Sequence, residues 1–232
     1  MKILALETSA KAVSAALTEN GKVLASGYQD TGLTHSRTLM PIVEHLMKNT
    51  GLTVQDCDAI AVAVGPGSFT GIRIGVAAAK GLAFGADKPA IGVSTLAAMA
   101  RNVAFAHGLI VCAMDARRAQ IYNALFAATA EGLTRLTEDR AIALSDLAEE
   151  LRAMDHGPIT VVGDGARLTV AALEAAGIPC RMAPAALVMQ NAVSVALEAE
   201  QLAAEGNLGS AQELETFYLR PPQAERLRDR QA

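Results

Sequence analysis

"AVAVGPGSFTGIRIGVAAAKGLAFG", Ala61 to Gly85, decides how this chain is read. The segment opens in an apolar run that starts at Ala59 and carries Ile60, Val62 and Val64. Such runs suit strands covered on both faces. Gly65-Pro66-Gly67-Ser68 breaks the run, and a helix rich in glycine and alanine follows. Gly65 and Gly67 permit positive φ and close approach of another backbone. Ser68 or Thr70 can cap the helix, whose free N–H groups form an anion site. The loop is not a GxxxxGK[ST] P-loop, since no lysine follows its last glycine, nor a GxGxxG with a ribose-binding acid. Along the helix Gly71, Gly75, Ala79 and Ala83 recur every four residues and share one face. Two readings of this bare strip stand side by side. It packs against the chain's own sheet, or it joins the preceding helix in a surface for another protein. Glycine inside a helix costs about 1 kcal/mol against alanine, so Gly71, Gly75, Gly81 and Gly85 call for close packing of one kind or the other.

Upstream, Lys2 to Glu7 predicts a buried strand, and Asn20-Gly21 between apolar segments predicts a hairpin. Three antiparallel strands therefore open the chain. "THSRTLMPIVEHLMKNTG" predicts a helix, with Leu39, Ile42, Val43, Leu46 and Met47 in helical spacing. Thr34 or Ser36 caps it and Gly51 stops it. Pro41 lies in its early turns or kinks it. Downstream, "PAIGV" predicts a strand, and Ser94 caps a helix that runs to His107 and ends at Gly108.

The pattern then restarts. "LIVCAMD", "AQIYNALFAA" and "GLTRLTED" read as strands, "LSDLAEELRAM" as a capped helix, and "ITVVGDG" as a strand with a glycine turn. "ARLTVAALEAAG" and Asn191 to Glu205 read as helices, and "FYLRPPQAERLRDRQA" as a polar tail that crosses the surface or frays. Strand-strand-strand-helix-strand-helix thus occurs twice. This predicts an α/β protein of two βββαβα halves, residues 1–108 and 109–232, facing each other across a cleft. That plan resembles the actin, sugar kinase and Hsp70 (ASKHA) superfamily, whose first hairpin and glycine loops line a nucleotide site. Fold alone does not establish that chemistry.

Composition narrows the classes. Of 232 residues, 51% are hydrophobic and 19% charged, which fits a folded chain. Aromatics are 3%, too few for a base-stacking platform, and a net charge of −4 argues against tight nucleic-acid binding by this chain alone. No apolar stretch reaches membrane-spanning length, and the start is too short for a signal peptide. Cys57, Cys112 and Cys180 are widely spaced, so reduced thiols in a cytoplasmic protein are expected.

Few residues suggest catalysis. The four histidines, His35, His45, His107 and His156, show no i, i+4 pair, and no metal site is predicted. No GxSxG elbow is present, and no nucleophile–base pair for a peptidase is visible. Glu7, Ser9, Gly65, Gly67 and Ser68 are the candidate nucleotide contacts. Asp115, Arg117 and Arg118 in "MDARRAQIY" occupy the matching place in the second half, where a charged turn with internal ion pairs is the plainer reading. An ATP-dependent kinase or phosphohydrolase built from Glu7, the glycine loop and Asp115 around a magnesium nucleotide is the rival function.

"ILALETS", "HSRTLMPIVEHLM", "VAVGPGSFTGIRIGVAAAKGLA", "PAIGVSTLAAMA", "MDARRAQIY" and "YLRPPQAE" together resemble the bacterial TsaB (YeaZ) family, from Lys2 to about Glu225. The resemblance implies a non-catalytic paralogue of TsaD, the enzyme that transfers a threonylcarbamoyl group to N6 of adenosine 37 in tRNAs reading codons that start with A. It implies pairing with TsaD, recruitment of the ATPase TsaE, and homodimers through the first-half helices when TsaD is absent. It gives the chain no cofactor of its own, or an adenine nucleotide shared at the partner interface, and indirect contact with tRNA. In TsaD-type proteins the strand resembling "PAIGV" is followed by HHxEGH, whose histidines hold the catalytic metal. Thr95 and Met99 stand at those ligand places here and cannot replace imidazoles. The expected partner surface is Leu39, Met40, Val43 and Met47 with Ile72, Val76 and Ala79. Arg220, Arg226, Arg228 and Arg230 mark a solvated end or a tRNA contact.

Overall fold

The computed structural model describes residues 1–220; the stretch 221–232, with Arg226, Arg228 and Arg230, lies outside the described residues. The first sheet is built from β1 (Lys2–Glu7), β2 (Val13–Glu19), β3 (Lys22–Gln29), β4 (Ala59–Gly65) and β5 (Ala90–Ser94), in the order β3-β2-β1-β4-β5. Asn20 and Gly21, at φ 49° and 74°, make the tight turn between β2 and β3, as the Asn-Gly pair predicts. β1 runs antiparallel to β2 and parallel to β4. Central β4 is buried from Ala59 to Ala63, which is why its sequence shows no alternation.

Helices α1 (His35–Thr50) and α2 (Phe69–Ala86) cover one face of this sheet, where Leu39, Val43, Ile72 and Val76 pack on Leu4, Leu6, Ile60 and Val62. Gly51, at φ 68°, stops α1 as expected. Thr34 is its N-cap residue but makes no side-chain cap bond, and Pro41 sits inside the helix on its exposed side. α2 is capped by Ser68, whose side chain accepts from the Gly71 N–H.

The second sheet contains β6 (Gly108–Asp115), β7 (Gln120–Thr129), β8 (Gly132–Arg135), β9 (Arg140–Ala143), β10 (Ile159–Val162) and β11 (Cys180–Met182). Its order is β11-β10-β6-β7-β8, with β9 paired to β7. α4 (Leu144–Ala153) and α5 (Ala166–Ala175) cover its outer face through Leu147, Leu151 and Leu173. Between the sheets lies α3 (Thr95–Arg101). Its Ala98 meets the first sheet's core, and its Leu96 and Met99 meet the second's.

The structure departs from the sequence reading in four places. The Ser94-capped helix ends at Arg101 instead of His107, and turns carry the chain to Gly108. α4 has Ala143 at its N-cap and no side-chain cap bond. β9 and β11 go unseen: β9 runs straight into α4 with no turn residue between Ala143 and Leu144, and β11 is only three residues long. The last helix, α6 (Ala192–Ala204), does not stay with the second half. Its Ala192, Val195, Ala196 and Ala199 pack on Ile3, Ala5, Ala61 and Val93 and so close the second face of the first sheet.

Candidate functional site: the cleft and the two outer helices

Most of the expected partner surface is buried. Leu39, Val43, Ile72, Val76 and Ala79 are all buried in the chain's own core, with Ile72 and Ala79 fully inaccessible. They face the sheet because Leu39, Val43, Ile72 and Val76 form the apolar stripes that hold α1 and α2 to it. Only Met40, 39% exposed, and the half-buried Met47 reach the surface. The glycine strip also turns inward. A Cβ at Gly71 would overlap the Thr8 carbonyl oxygen, and one at Gly75 would overlap the Thr8 hydroxyl. The opposite face of α2 is the accessible one. Arg73, Ala77, Gly81, Phe84 and Gly85 are exposed there, with Phe84 73% so.

Between the sheets is a cleft of about 740 Å³. Its floor is the turn after β1, where Ser9 lines the cleft and Glu7 and Thr8 are buried behind it. Glu7 Oε1 accepts the Ser9 N–H, while Oε2 has no partner among the described residues. Ser9 Oγ stands beside that carboxyl without a well-aligned hydrogen bond. Burial pushes the Glu7 carboxyl up to about 7; the Ser9 contacts pull against this, and the Asp164 charge adds to it. Asp164, in the Gly163–Gly165 turn after β10, is itself raised by burial. The Gln190 amide, donating to Oδ1 at 3.0 Å, holds it down, Asp115 adds to the rise, and Lys11 opposes it.

The glycine loop meets this floor with its own backbone. The Ser68 N–H donates to the Ser9 carbonyl at 2.7 Å, and a Cβ at Gly67 would strike the same carbonyl. A Cβ at Gly65 (φ 132°) would strike the Phe217 carbonyl oxygen. Both glycines therefore permit close backbone contacts within the chain. Of the candidate nucleotide contacts, Ser9, Gly67 and Ser68 line the cleft, Glu7 lies beneath Ser9, and Gly65 turns toward the C-terminal segment. In the second half, Asp115 Oδ1 accepts the Arg117 N–H at 2.8 Å and its Oδ2 lies 3.5 Å from the Arg117 guanidinium, in a turn where Arg117, Arg118 and Ala119 all have positive φ.

Sequence reasoning missed the residues that complete the cleft. Asp164 had a signal: a buried strand, then "GDG", then a helix, repeats the plan of β4, its glycine loop and α2. Gln190 had none. Residues 217–220 form a strap. Phe217 donates to the Val64 carbonyl at 2.8 Å, and Tyr218 packs on Phe69 with ring centres 4.9 Å apart. Arg73 donates to the Tyr218 hydroxyl at 3.1 Å and lies over the Phe69 ring. Arg220 reaches the second half, bonding the Ala116 carbonyl at 2.9 Å and the Gln120 side chain.

Thr95 and Met99 are buried on α3, and Met99 belongs to the core against the second sheet. His35 ties α1 to the turn after β1, its Nε2 lying 3.0 Å and 3.2 Å from the Ala10 and Ala12 carbonyls. Among the described residues no three His, Cys, Asp or Glu side chains cluster as metal ligands would, and no helix is long and apolar enough to cross a membrane.

Residues 29–225 match the family model described as TsaD, tRNA N6-adenosine threonylcarbamoyltransferase. The chain is also 32% identical over 222 residues to the Escherichia coli (strain K12) tRNA threonylcarbamoyladenosine biosynthesis protein TsaB, covering 95% of each. The chain belongs to the TsaB (YeaZ) family. The solved structure of YeaZ from Pseudomonas aeruginosa superposes with a TM-score of 0.80 at 26% identity, covering 94% of this chain and 99% of that one. A ROK hexokinase from Thermus thermophilus, 13% identical, matches with a TM-score of 0.50 over 89% of this chain and all of its own. The fold is therefore of the actin/sugar kinase/Hsp70 type, as the doubled βββαβα pattern predicts.

Proposed function

We propose that this protein is a non-catalytic subunit of the tRNA threonylcarbamoyladenosine system, working in the cytoplasm by pairing with a TsaD-type paralogue. In this reading the paralogue transfers the threonylcarbamoyl group to N6 of adenosine 37 in tRNAs whose codons start with A. A TsaE-type ATPase joins the pair, tRNA is met through the complex, and the chain forms a homodimer when alone. It has no cofactor of its own, and an adenine nucleotide, where one takes part, is shared at the partner interface. Family membership supports the pathway. The non-catalytic role is supported by α3, where Thr95 and Met99 are buried at the places that hold imidazoles in the metal-binding relatives.

The observation that carries the pairing is the outer face of α2. Gly81 and Gly85 are helical, exposed and free of any neighbour that a Cβ would meet within 4 Å. Each weakens the helix by about 1 kcal/mol relative to alanine. Among the described residues nothing offsets this, whereas a partner helix approaching closely would. Phe84 on this face and Met40 on α1 supply exposed apolar contacts. The kinase reading gains no support from the loop, whose glycines meet the chain's own backbone.

Pull-down and reconstitution test the proposal. Phe84→Asp is expected to leave the melting temperature unchanged and to weaken capture of the TsaD-type paralogue by more than about tenfold. Modification of tRNA by the paralogue, the ATPase and threonylcarbamoyl-adenylate should fall to background without this chain. Undiminished capture by the variant removes the assigned surface, and full modification in its absence removes the function.

A further inference from the structure

The strap joins the outer face of α2 to the second half. Arg73 shares that exposed face with Ala77, Gly81 and Phe84. Its Nε donates to the Tyr218 hydroxyl at 3.1 Å, and its guanidinium carbon lies 3.8 Å from the centre of the Phe69 ring on which Tyr218 packs. Lys80, further along α2, donates to the Gln212 carbonyl at 3.3 Å, so the chain approaches the strap along this helix. The Phe217 N–H bonds to the Val64 carbonyl, and the Phe217 carbonyl fills the space above Gly65. Two residues beyond Tyr218, Arg220 bonds the Ala116 carbonyl and the Gln120 side chain and lies over the Tyr122 ring, all in the second half. Two residues of backbone reach at most about 7 Å. The backbone therefore gives little slack between the anchor on the first half and the anchor on the second. Among the described residues the chain also crosses between the halves at 102–108 and at 183–191. Buried Asn102 ties those crossings to each other, its Nδ2 donating to the Leu187 and Met189 carbonyls at 2.9 Å each. The halves are thus held at two places, the buried crossings and the strap, whose four residues all line the cleft.

Given the pairing proposed above, we infer that the strap is a clasp worked by the partner: a helix seated on the outer face of α2 holds the strap against Arg73 and so fixes the second half relative to the first. In the free chain Arg73 is exposed, and water competes for its bond to Tyr218. Arg73 stands about 12 Å along α2 from Gly81. That lies within the area of about 800 Å² per partner that a stable interface covers. A partner that reaches Arg73 excludes water there, and a charge-assisted hydrogen bond gains strength in a dry contact. Linkage makes the effect reciprocal. A chain whose strap is cut binds the partner more weakly, by the same factor by which the partner tightens the strap.

Amide exchange is followed in the full chain, alone and saturated with the TsaD-type paralogue. The Ala116 N–H bonds to the Gln120 carbonyl and the Ala116 carbonyl takes Arg220, so exchange at Ala116 reads the far anchor. Saturation with the paralogue is expected to slow Ala116 exchange by about fivefold or more. Tyr218→Ala removes both the hydroxyl and the ring, and at saturation the slowing should fall below about twofold. Arg220→Ala, whose lost contacts are with the second half, should weaken capture of the paralogue by about fivefold or more. Each variant is checked by thermal melting; should one fail to fold, the other decides. Three outcomes overturn the clasp: Ala116 exchange unchanged by the paralogue, slowing that persists in Tyr218→Ala and so reflects direct cover, or Arg220→Ala captured as tightly as the parent. Phe84→Asp separates the clasp from the pairing. Undiminished capture of that variant removes the pairing face and the clasp with it, whereas weakened capture together with any of the three outcomes removes the clasp alone.

Discussion

Replacing Glu7 by glutamine isolates the cost of a buried carboxyl group. In the folded chain its pKa is raised from 4.5 to about 7, chiefly by burial. Below about pH 4.5 both folded and unfolded chains carry the protonated acid, and the group does not oppose folding. As pH rises towards 7 the unfolded chain ionises first, so the folded state progressively loses stability relative to it. Above about pH 7 both are ionised and the loss is complete. The gap between the two pKa values corresponds to about 3 kcal/mol. Glutamine keeps an oxygen to accept the Ser9 N–H and adds an amide donor next to Asp164, and it does not ionise. Glu7→Gln is therefore expected to match the parent near pH 4.5 and to exceed it by about 3 kcal/mol at about pH 8. In urea unfolding that is a midpoint higher by roughly 1 M at the higher pH. An equal gap at both pH values, or a variant no more stable at the higher one, would show that Glu7 is not a buried, strained acid.

The two faces of α2 make a paired test. Gly81→Ala, in open space, should raise stability by about 1 kcal/mol, whereas Gly71→Ala, which drives a Cβ into the Thr8 carbonyl, should lower it by about 2–4 kcal/mol in thermal melts. Val76→Glu should unfold the monomer or cost more than about 3 kcal/mol, since this side chain is 6% exposed in the core; a stable, folded variant would contradict that burial. Arg220→Ala should release the strap from the second half at a cost of about 1–2 kcal/mol. It should also speed amide exchange at Ala116, and unchanged exchange there would mean the strap does not tie the halves.

Much of the fold was legible because its signals are local. Asn20-Gly21 announces a turn that only a left-handed pair completes, the unbroken apolar run of β4 announces a strand buried on both faces, and Gly51 stops α1 by its own φ. The doubled order of strands and helices followed from such marks, and with it the fold type. The candidate site was legible only in part. Glu7, Ser9 and the glycine loop were seen as neighbours because each follows a strand end. Their role changed once the Ser9 and Phe217 carbonyls were found in the space above Gly67 and Gly65.

The amino-acid sequence by itself determined which residues of α1 and α2 share a face, because a 3.6-residue repeat is written into the chain. It left undecided whether that face meets the chain's own sheet or another protein, since apolar periodicity is the same in both cases. Only tertiary contact decided that Ile72, Val76 and Ala79 turn inward and that Gly81 and Phe84 face out. Contact alone also brought Asp164, Gln190 and Tyr218 to the first-half cleft, across sequence separations that no local pattern spans. α6 returned to the first sheet for the same reason: burying a sheet's second face depends on what lies near it in space, and order along the chain does not record this.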